Sequence, residues 1–311
     1  MRKKKGNVVN GWINLDKPVG MTSTQAVGNV RRALNAQKAG HAGTLDPLAS
    51  GVLPIALGEA TKTIPYCQDA LKIYRFTVTW GAARDTDDAE GDIIATSNLR
   101  PTLEAIEAVL LAFLGDIEQV PPKFSPIKIN GERAYDLARD GEDVTLKPRP
   151  VYIESLHLLS RPDGDSSEFT VTCGKGTYIR SLARDMAEKL GTYGYISALR
   201  REAVGTLDAS HAISLEMLEK MGDSPPPENV LLPVQTVLDD IPVLAINDQE
   251  AARLKQGQKL SFFSKPDLAR LIQAGLDFDE EDEALALYKG KPLALVSVKG
   301  PEIKPERVFN L

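Results

Sequence analysis

The run Tyr74-Arg75-Phe76-Thr77-Val78-Thr79-Trp80-Gly81 alternates bulky and polar residues with the two-residue period of a strand and stops at a glycine. One face of such a strand has to be covered, so the chain must build a sheet with another layer packed on it. Further strands are read at Trp12-Ile13-Asn14-Leu15-Asp16-Lys17-Pro18, which runs into a turn, at the apolar stretch Val52 to Gly58, and at Phe169 to Cys173. Helices are expected from a cap at Thr22 or Ser23 to about Leu34, from Leu103 to Leu114, from Glu132 to Arg139, and from Ile179 to Leu190, where Gly191 closes an amphipathic stretch. Strand and helix follow one another without strict β-α-β alternation. This favours an α+β class, a mixed sheet flanked by helices, over a doubly wound one.

With 311 residues, 42% of them hydrophobic, the chain is long enough for one large domain and a small one without covalent staples. A Pro-rich stretch at 222–229 and a change of composition near Ile241-Pro242 divide it into domains over 1–240 and 241–311. The second is expected to be β-rich. Leu285 to Val296 reads as a hairpin about Lys289-Gly290-Lys291, and the acidic run Asp279 to Glu283 as a solvated loop. Cys67 and Cys173 belong to no zinc or disulfide spacing, which fits a reducing, cytoplasmic setting, and no stretch has the length of a signal peptide or a membrane span. The net charge of −6 is unevenly spread: residues 1–75, beginning with Arg2, Lys3, Lys4 and Lys5, carry +7, residues 76–235 carry −10 and residues 236–311 carry −3. A basic first segment is compatible with a local surface facing a polyanion, and equally with ordinary surface variation.

Gly40-His41-Ala42-Gly43-Thr44-Leu45-Asp46-Pro47-Leu48-Ala49-Ser50-Gly51 is the most informative stretch for chemistry. Its glycines let backbone approach a ligand closely, and Pro47 biases Asp46 away from helical dihedrals, so the carboxylate sits on a stiff turn. Asp followed by Pro also describes a helix N-cap with Pro in the first turn, which is the commoner use of the pair. A phosphate-binding loop fits less well, because neither Gly-Lys-Ser nor Gly-Lys-Thr follows.

Residues 43–51 resemble the catalytic motif of the TruB family of pseudouridine synthases. Downstream, Lys72-Ile73-Tyr74 resembles the family's Lys-x-Tyr element, Asp85 to Gly91 its acidic loop, and Gln119 to Lys128 the segment before its specificity insert. Lys175-Gly176-Thr177-Tyr178-Ile179-Arg180 resembles the strand opposite the aspartate, and Leu199-Arg200-Arg201 a further substrate-side element. These elements stand in order over roughly residues 10–235, and together they are far more specific than any one alone. Phe124 and Pro126 stand where the family more often has Tyr and Ala. Residues 241–311 resemble, more weakly, the small RNA-binding PUA-type module that closes the family, although their acidic character departs from a simple basic binder.

The resemblance implies a largely antiparallel pseudouridine-synthase sheet and an isomerisation of one uridine: the C1′–N1 bond breaks, the uracil turns within the site and C1′ joins C5. Nothing is oxidised or reduced, so no cofactor or metal is expected. Asp46 is implied as the catalytic carboxylate, acting covalently or by stabilising positive charge as the glycosidic bond loosens, with Arg180 as the cation that keeps it charged and aimed. Tyr74 is implied as a flat face for the uracil and a phenol that moves a proton, with Tyr178 and Leu199 as further walls. His41 is implied as the residue that fills the space left by an extracted base. Lys17, Pro18 and Lys62 resemble positions that support the site or the RNA backbone, while Arg31, Arg32, Arg200 and Arg201 are generic phosphate candidates. Without the motif, Arg180 reads as a surface arginine opening a helix, and Tyr74 and Leu199 as core. The implied substrate is the T arm of tRNA, at the uridine of standard position 55, and a cytoplasmic monomer with no membrane or small-molecule partner is expected. The alternative is a non-catalytic tRNA-binding or RNA-folding protein on the same scaffold, which predicts tRNA binding with no new pseudouridine.

Overall fold

The computed structural model describes residues 6–125, 127–129, 132–139, 145–221, 226–276 and 280–311. Arg2 to Lys5, Pro126, the part of the Pro-rich stretch at 222–225 and Asp279 lie outside the described residues.

The chain runs through β1 (Gly11–Lys17), α1 (Ser23–Ala33), β2 (Ala39–His41), β3 (Ser50–Leu57), α2 (Ile64–Asp69) and β4 (Lys72–Trp80). A small hairpin of Ala82–Arg84 with Ile93–Thr96 holds the acidic loop, and α3 (Leu103–Leu110), β5 (Gly115–Gln119), β6 (Arg149–Ser160), β7 (Ser166–Cys173), α4 (Ile179–Lys189) and β8 (Gly194–Val204) follow. The central sheet has the order β1-β3-β8-β4-β7-β6-β5. Among these seven strands only β3 and β8 run parallel, and the short strand Ile213–Ser214 adds a second parallel pair at the outer edge of β1, which gives the mixed, largely antiparallel sheet of an α+β fold.

Local chemistry explains the helix ends. The Thr22 hydroxyl accepts from the Gln25 N–H while the Gln25 side chain accepts from the Thr22 N–H, a reciprocal cap worth roughly 1 kcal/mol. In α4 the buried stripe is Ile179, Leu182, Ala183, Met186 and Ala187, the face laid against the sheet. In β4 the buried positions alternate as the pattern requires, and Phe76 stacks on Phe169 of β7 with ring centroids 5.3 Å apart.

β3 explains how the two ends of the chain meet. Its Leu53, Ile55 and Leu57 join Ile13, Leu15, Ala26 and Val30 in the main core, whereas Val52 and Ala56 join Trp12 in a second cluster closed by Leu285, Leu295 and Phe309. Both faces are covered, which is why 52–57 reads as an unbroken apolar run. Each fully buried side chain of this size is worth about 1.5–3 kcal/mol.

The C-terminal residues form a five-stranded sheet from β9 (Val243–Ile246), β10 (Glu281–Tyr288), β11 (Lys291–Lys299) and β12 (Glu302–Val308), with Leu260–Ser261 at its edge. The hairpin turn is Lys289-Gly290, both at positive φ (51° and 76°), which matches the twist of the strands it joins. Glu281, Asp282 and Glu283 begin β10 and are not the solvated loop expected of them; backbone pairing with Lys299, Val298 and Ser297 overrides their poor strand propensity. Glu132-Arg133 likewise pairs with Lys128-Ile129, so that helix starts only at Ala134. No helix among the described residues is long and apolar enough to cross a membrane.

Candidate active site

Strand register assembles the site. Lys17 lies opposite Gly51, Gly51 opposite Arg201 across the parallel β3–β8 pair, and Arg201 opposite Tyr74 across β8–β4. Residues along one rung share a face of the sheet, so Lys17, Arg201 and Tyr74 converge about a position that has no side chain. A Cβ at Gly51 would stand 2.2 Å from the Arg201 carbonyl oxygen, and its φ is +101°, so only glycine fits.

The loop between β2 and β3 carries Asp46. Ser23 pins it from the start of α1: the Ser23 hydroxyl donates to the Leu45 carbonyl (3.0 Å) and accepts from the Leu45 N–H (2.8 Å), and the Gly20 N–H donates to the Pro47 carbonyl (2.8 Å). No helix follows Pro47, so the N-cap reading of Asp46-Pro47 is set aside.

Asp46 Oδ2 lies 3.0 Å from Arg180 Nη2; the arginine side chain is 6% exposed and the carboxylate 36%. Arg180 stands in the first turn of α4, and the stretch 175–180 is not a strand: a turn with Gly176 at φ +82° leads to Tyr178, whose N–H donates to Gln119 Oε1 (2.8 Å) at the helix start. This entry aims Arg180 inward. Its Nη1 donates to the Thr86 carbonyl (3.1 Å) and faces Asp88 Oδ2 (3.5 Å), and its Nη2 donates to the Phe124 carbonyl (3.1 Å). Asp88 is buried, and its Oδ1 accepts from the Thr86 hydroxyl (2.6 Å) and the Glu90 N–H (3.0 Å). The guanidinium is thus held between two carboxylates, and the more open one is Asp46. Asp88 is a site residue that sequence reasoning missed within the acidic loop. The available signal was Thr86-x-Asp88-x-Glu90, a spacing in which neighbours can satisfy a buried aspartate.

Asp46, Tyr74, Tyr178, Arg180 and Leu199 line one cavity of about 450 Å³, within the usual range of ligand pockets, and Lys72 and Arg201 line it too. Burial pushes the Tyr74 phenol above its ordinary pKa, with the Arg201 cation opposing, so the hydroxyl is protonated near neutrality. Tyr178 is shifted upward by burial in the same way.

Lys17, Pro18, His41 and Lys62 do not line this cavity. Lys17 is buried, and its ammonium donates to the Pro18 (2.8 Å) and Met21 (2.7 Å) carbonyls, fixing the turn that in turn holds Pro47. Pro18 is exposed. The Lys62 ammonium donates to Glu59 Oε2 and to the Val308 carbonyl, both at 2.6 Å, and so is spent on tying β12 to the helical turn Gly58–Lys62 that follows β3. His41 pairs with Ile55 in β2; its Nδ1 has no hydrogen-bond partner among the described residues, and burial, aided by Arg201, lowers its pKa so that the ring is neutral at pH 7.

Arg200 and Arg201 separate sharply. Arg200 makes a bidentate pair with Asp16 (2.9 and 3.0 Å) and stays partly exposed. Arg201 is 1% exposed and donates to the Val52 (2.7 Å) and Gly43 (3.0 Å) carbonyls, so it cannot be the phosphate contact expected of it. Arg31 and Arg32 are exposed.

Lys17 yields a pH prediction. Burial pushes its ammonium down to about 8, with the Asp46 carboxylate partly opposing. Between that value and the ordinary lysine value the unfolded chain binds more protons than the folded one, so stability rises with pH across this window. Urea midpoints of wild type and Lys17→Met, measured at about pH 8 and about pH 10, should show wild type gaining on the variant at the higher pH. Parallel changes in the two chains would show that the ammonium is not perturbed.

A family model described as "TruB family pseudouridylate synthase (N terminal domain)" matches residues 31–179, and one described as "tRNA pseudouridylate synthase B C-terminal domain" matches residues 180–239. A Bradyrhizobium diazoefficiens protein named tRNA pseudouridine synthase B is 53% identical over 100% of this chain and 90% of its own length. The chain belongs to the TruB family of pseudouridylate synthases. A TruB-family relative of the same name from Caulobacter vibrioides is 50% identical over 100% of this chain and 99% of its own length, so residues 240–311, which neither family model matches, are shared with full-length relatives. Among solved structures, the "Crystal Structure of a Cbf5-Nop10-Gar1 Complex" matches with a TM-score of 0.72 and 26% identity, covering 97% of this chain and 85% of that one.

Proposed function

We propose that this TruB-family protein is a tRNA pseudouridine synthase that converts the uridine at position 55 of the T loop to pseudouridine, with Asp46 as the catalytic carboxylate. The observation that carries this reading is the Asp46 carboxylate, paired at 3.0 Å with a buried arginine, on a cavity that Tyr74, Tyr178 and Leu199 also line.

Substrate and product hold the same atoms. C1′–N1 breaks, C1′–C5 forms, the proton on C5 is removed and N1 regains one. Loosening the glycosidic bond develops positive charge at the ribose, and a carboxylate meets it as a counter-charge or as a nucleophile. In either role the group must be held still, and Arg180 does this with four partners. Tyr178 and Leu199 flank the uracil, and the protonated Tyr74 phenol serves proton movement.

Bringing the base out of its stack costs about a few kcal/mol. The neutral His41 ring, on the strand that leads into the catalytic loop, is assigned to the vacated space. Lys17 and Pro18 support the Asp46 loop through their turn, and Lys62 braces residues 241–311, a PUA-like module proposed to contact RNA beside the catalytic domain over 1–240. Recognition is of loop shape and backbone. Action as a monomer belongs to the same reading, and two free, buried cysteines fit the cytoplasm.

Incubating the protein with unmodified tRNA transcript and mapping pseudouridine at nucleotide resolution tests the reading. One new pseudouridine at position 55 is expected; binding without product, or product elsewhere, would reject it.

A further inference from the structure

We infer that Arg201 is a positioning residue for the reaction, a buried clamp that closes the catalytic loop onto the sheet and fixes the Tyr74 phenol. The inference rests on Asp46 being the catalytic carboxylate.

The guanidinium spans the loop. Its Nη2 donates to the carbonyl of Gly43, where the chain leaves β2, its Nε donates to that of Val52, where the chain has entered β3, and Asp46 lies between. Its Nη1 stands 3.5 Å from the Tyr74 hydroxyl, with the guanidinium carbon 6.0 Å from the ring centroid. A donor aimed at the phenol oxygen leaves the phenol's own O–H to point elsewhere, which orients its proton.

The glycines at the two ends of the 43–51 motif are shaped by this one arginine. A Cβ at Gly43, where φ is +90°, would stand 3.3 Å from Arg201 Nη1, and a Cβ at Gly51 would collide with the Arg201 backbone. The close approach that these glycines allow is to Arg201 and not only to a ligand.

Stability does not account for the residue. Among the described residues Arg201 has no carboxylate within ion-pair distance, although it is 1% exposed. A buried cation balanced only by carbonyls and a ring carries a desolvation cost that its hydrogen bonds serve to offset. Its gain lies in the loop: without it two carbonyls lose their donor and Asp46 loses the brace on both flanks.

Arg201→Lys and Arg201→Met are to be assayed beside Asp46→Asn for melting temperature, tRNA affinity, KM and kcat per folded molecule. A misplacement of about an ångström predicts a kcat loss of roughly 100-fold for Arg201→Met and roughly 10-fold for Arg201→Lys, with KM and tRNA affinity within about 3-fold of wild type. Arg201→Lys keeps charge and length and carries the test if Arg201→Met fails to fold. A kcat for Arg201→Lys within about 2-fold of wild type would overturn the clamp, as would KM rising in step with the loss of kcat. If Asp46→Asn is inactive while Arg201→Lys is normal, the clamp alone fails. Activity in Asp46→Asn would instead remove the assignment beneath it.

Discussion

Asp46→Asn should lower the single-turnover rate of pseudouridine formation by about 10⁴-fold or more while leaving the fold and tRNA binding in place. The substitution keeps the shape of the side chain and removes the charge that would meet the developing cation at the ribose. Folding changes little because Asp46 is the more exposed partner of its ion pair, and Arg180 keeps Asp88 and the Thr86 and Phe124 carbonyls. The expected stability loss is about 1 kcal/mol or less. Affinity for tRNA, set mainly by backbone contacts, should stay within about 3-fold. Rate, filter binding and urea unfolding on the same preparation check all three, and a rate within about 10-fold of wild type would take the carboxylate out of the chemistry.

Arg180→Met should damage both stability and rate. The guanidinium is buried between Asp46 and Asp88, so its loss leaves the buried Asp88 charge unpaired, at a cost of about 3–5 kcal/mol. The rate should fall by roughly 10²–10³-fold, as when a fixed electrostatic group is withdrawn from a site. The two effects can be separated. Adding Asp88→Asn removes the stranded charge and should restore much of the unfolding free energy without restoring the rate, because Asp46 still has nothing to aim it. Equal recovery of both quantities would show that Arg180 acts on the fold alone. Arg180→Lys should recover little, since an ammonium cannot reproduce four contacts made by a planar fork.

The elements with strong periodicity were legible. The alternation in 74–81, the amphipathic stripe of 179–190 and the turn at Lys289-Gly290 each obey a local rule that the tertiary structure keeps. The loop that presents Asp46 to the cavity was legible too, because residues 40–51 are continuous in sequence. What escaped was decided across strands. Arg200 and Arg201 look alike as a pair, yet adjacent residues of a strand face opposite sides of a sheet, and only register reveals which is buried. The apolar alternation Leu199-x-Arg201-x-Ala203 was the available hint. Asp88 hid in a run of acids for the same reason: its partner Arg180 is remote in sequence. The strand at 281–283 was masked by charge, which backbone pairing outweighs at a sheet's end.

Synthesis order gives the Arg201 contacts a further meaning. A ribosome delivers the Gly43 and Val52 carbonyls well before the guanidinium that binds them, and Trp12 waits for Phe309 before its cluster is sealed. Pairings of such long separation form late. The loop that carries Asp46 is therefore made long before Arg180 and Arg201, the two side chains that hold it, and its folded form waits on both.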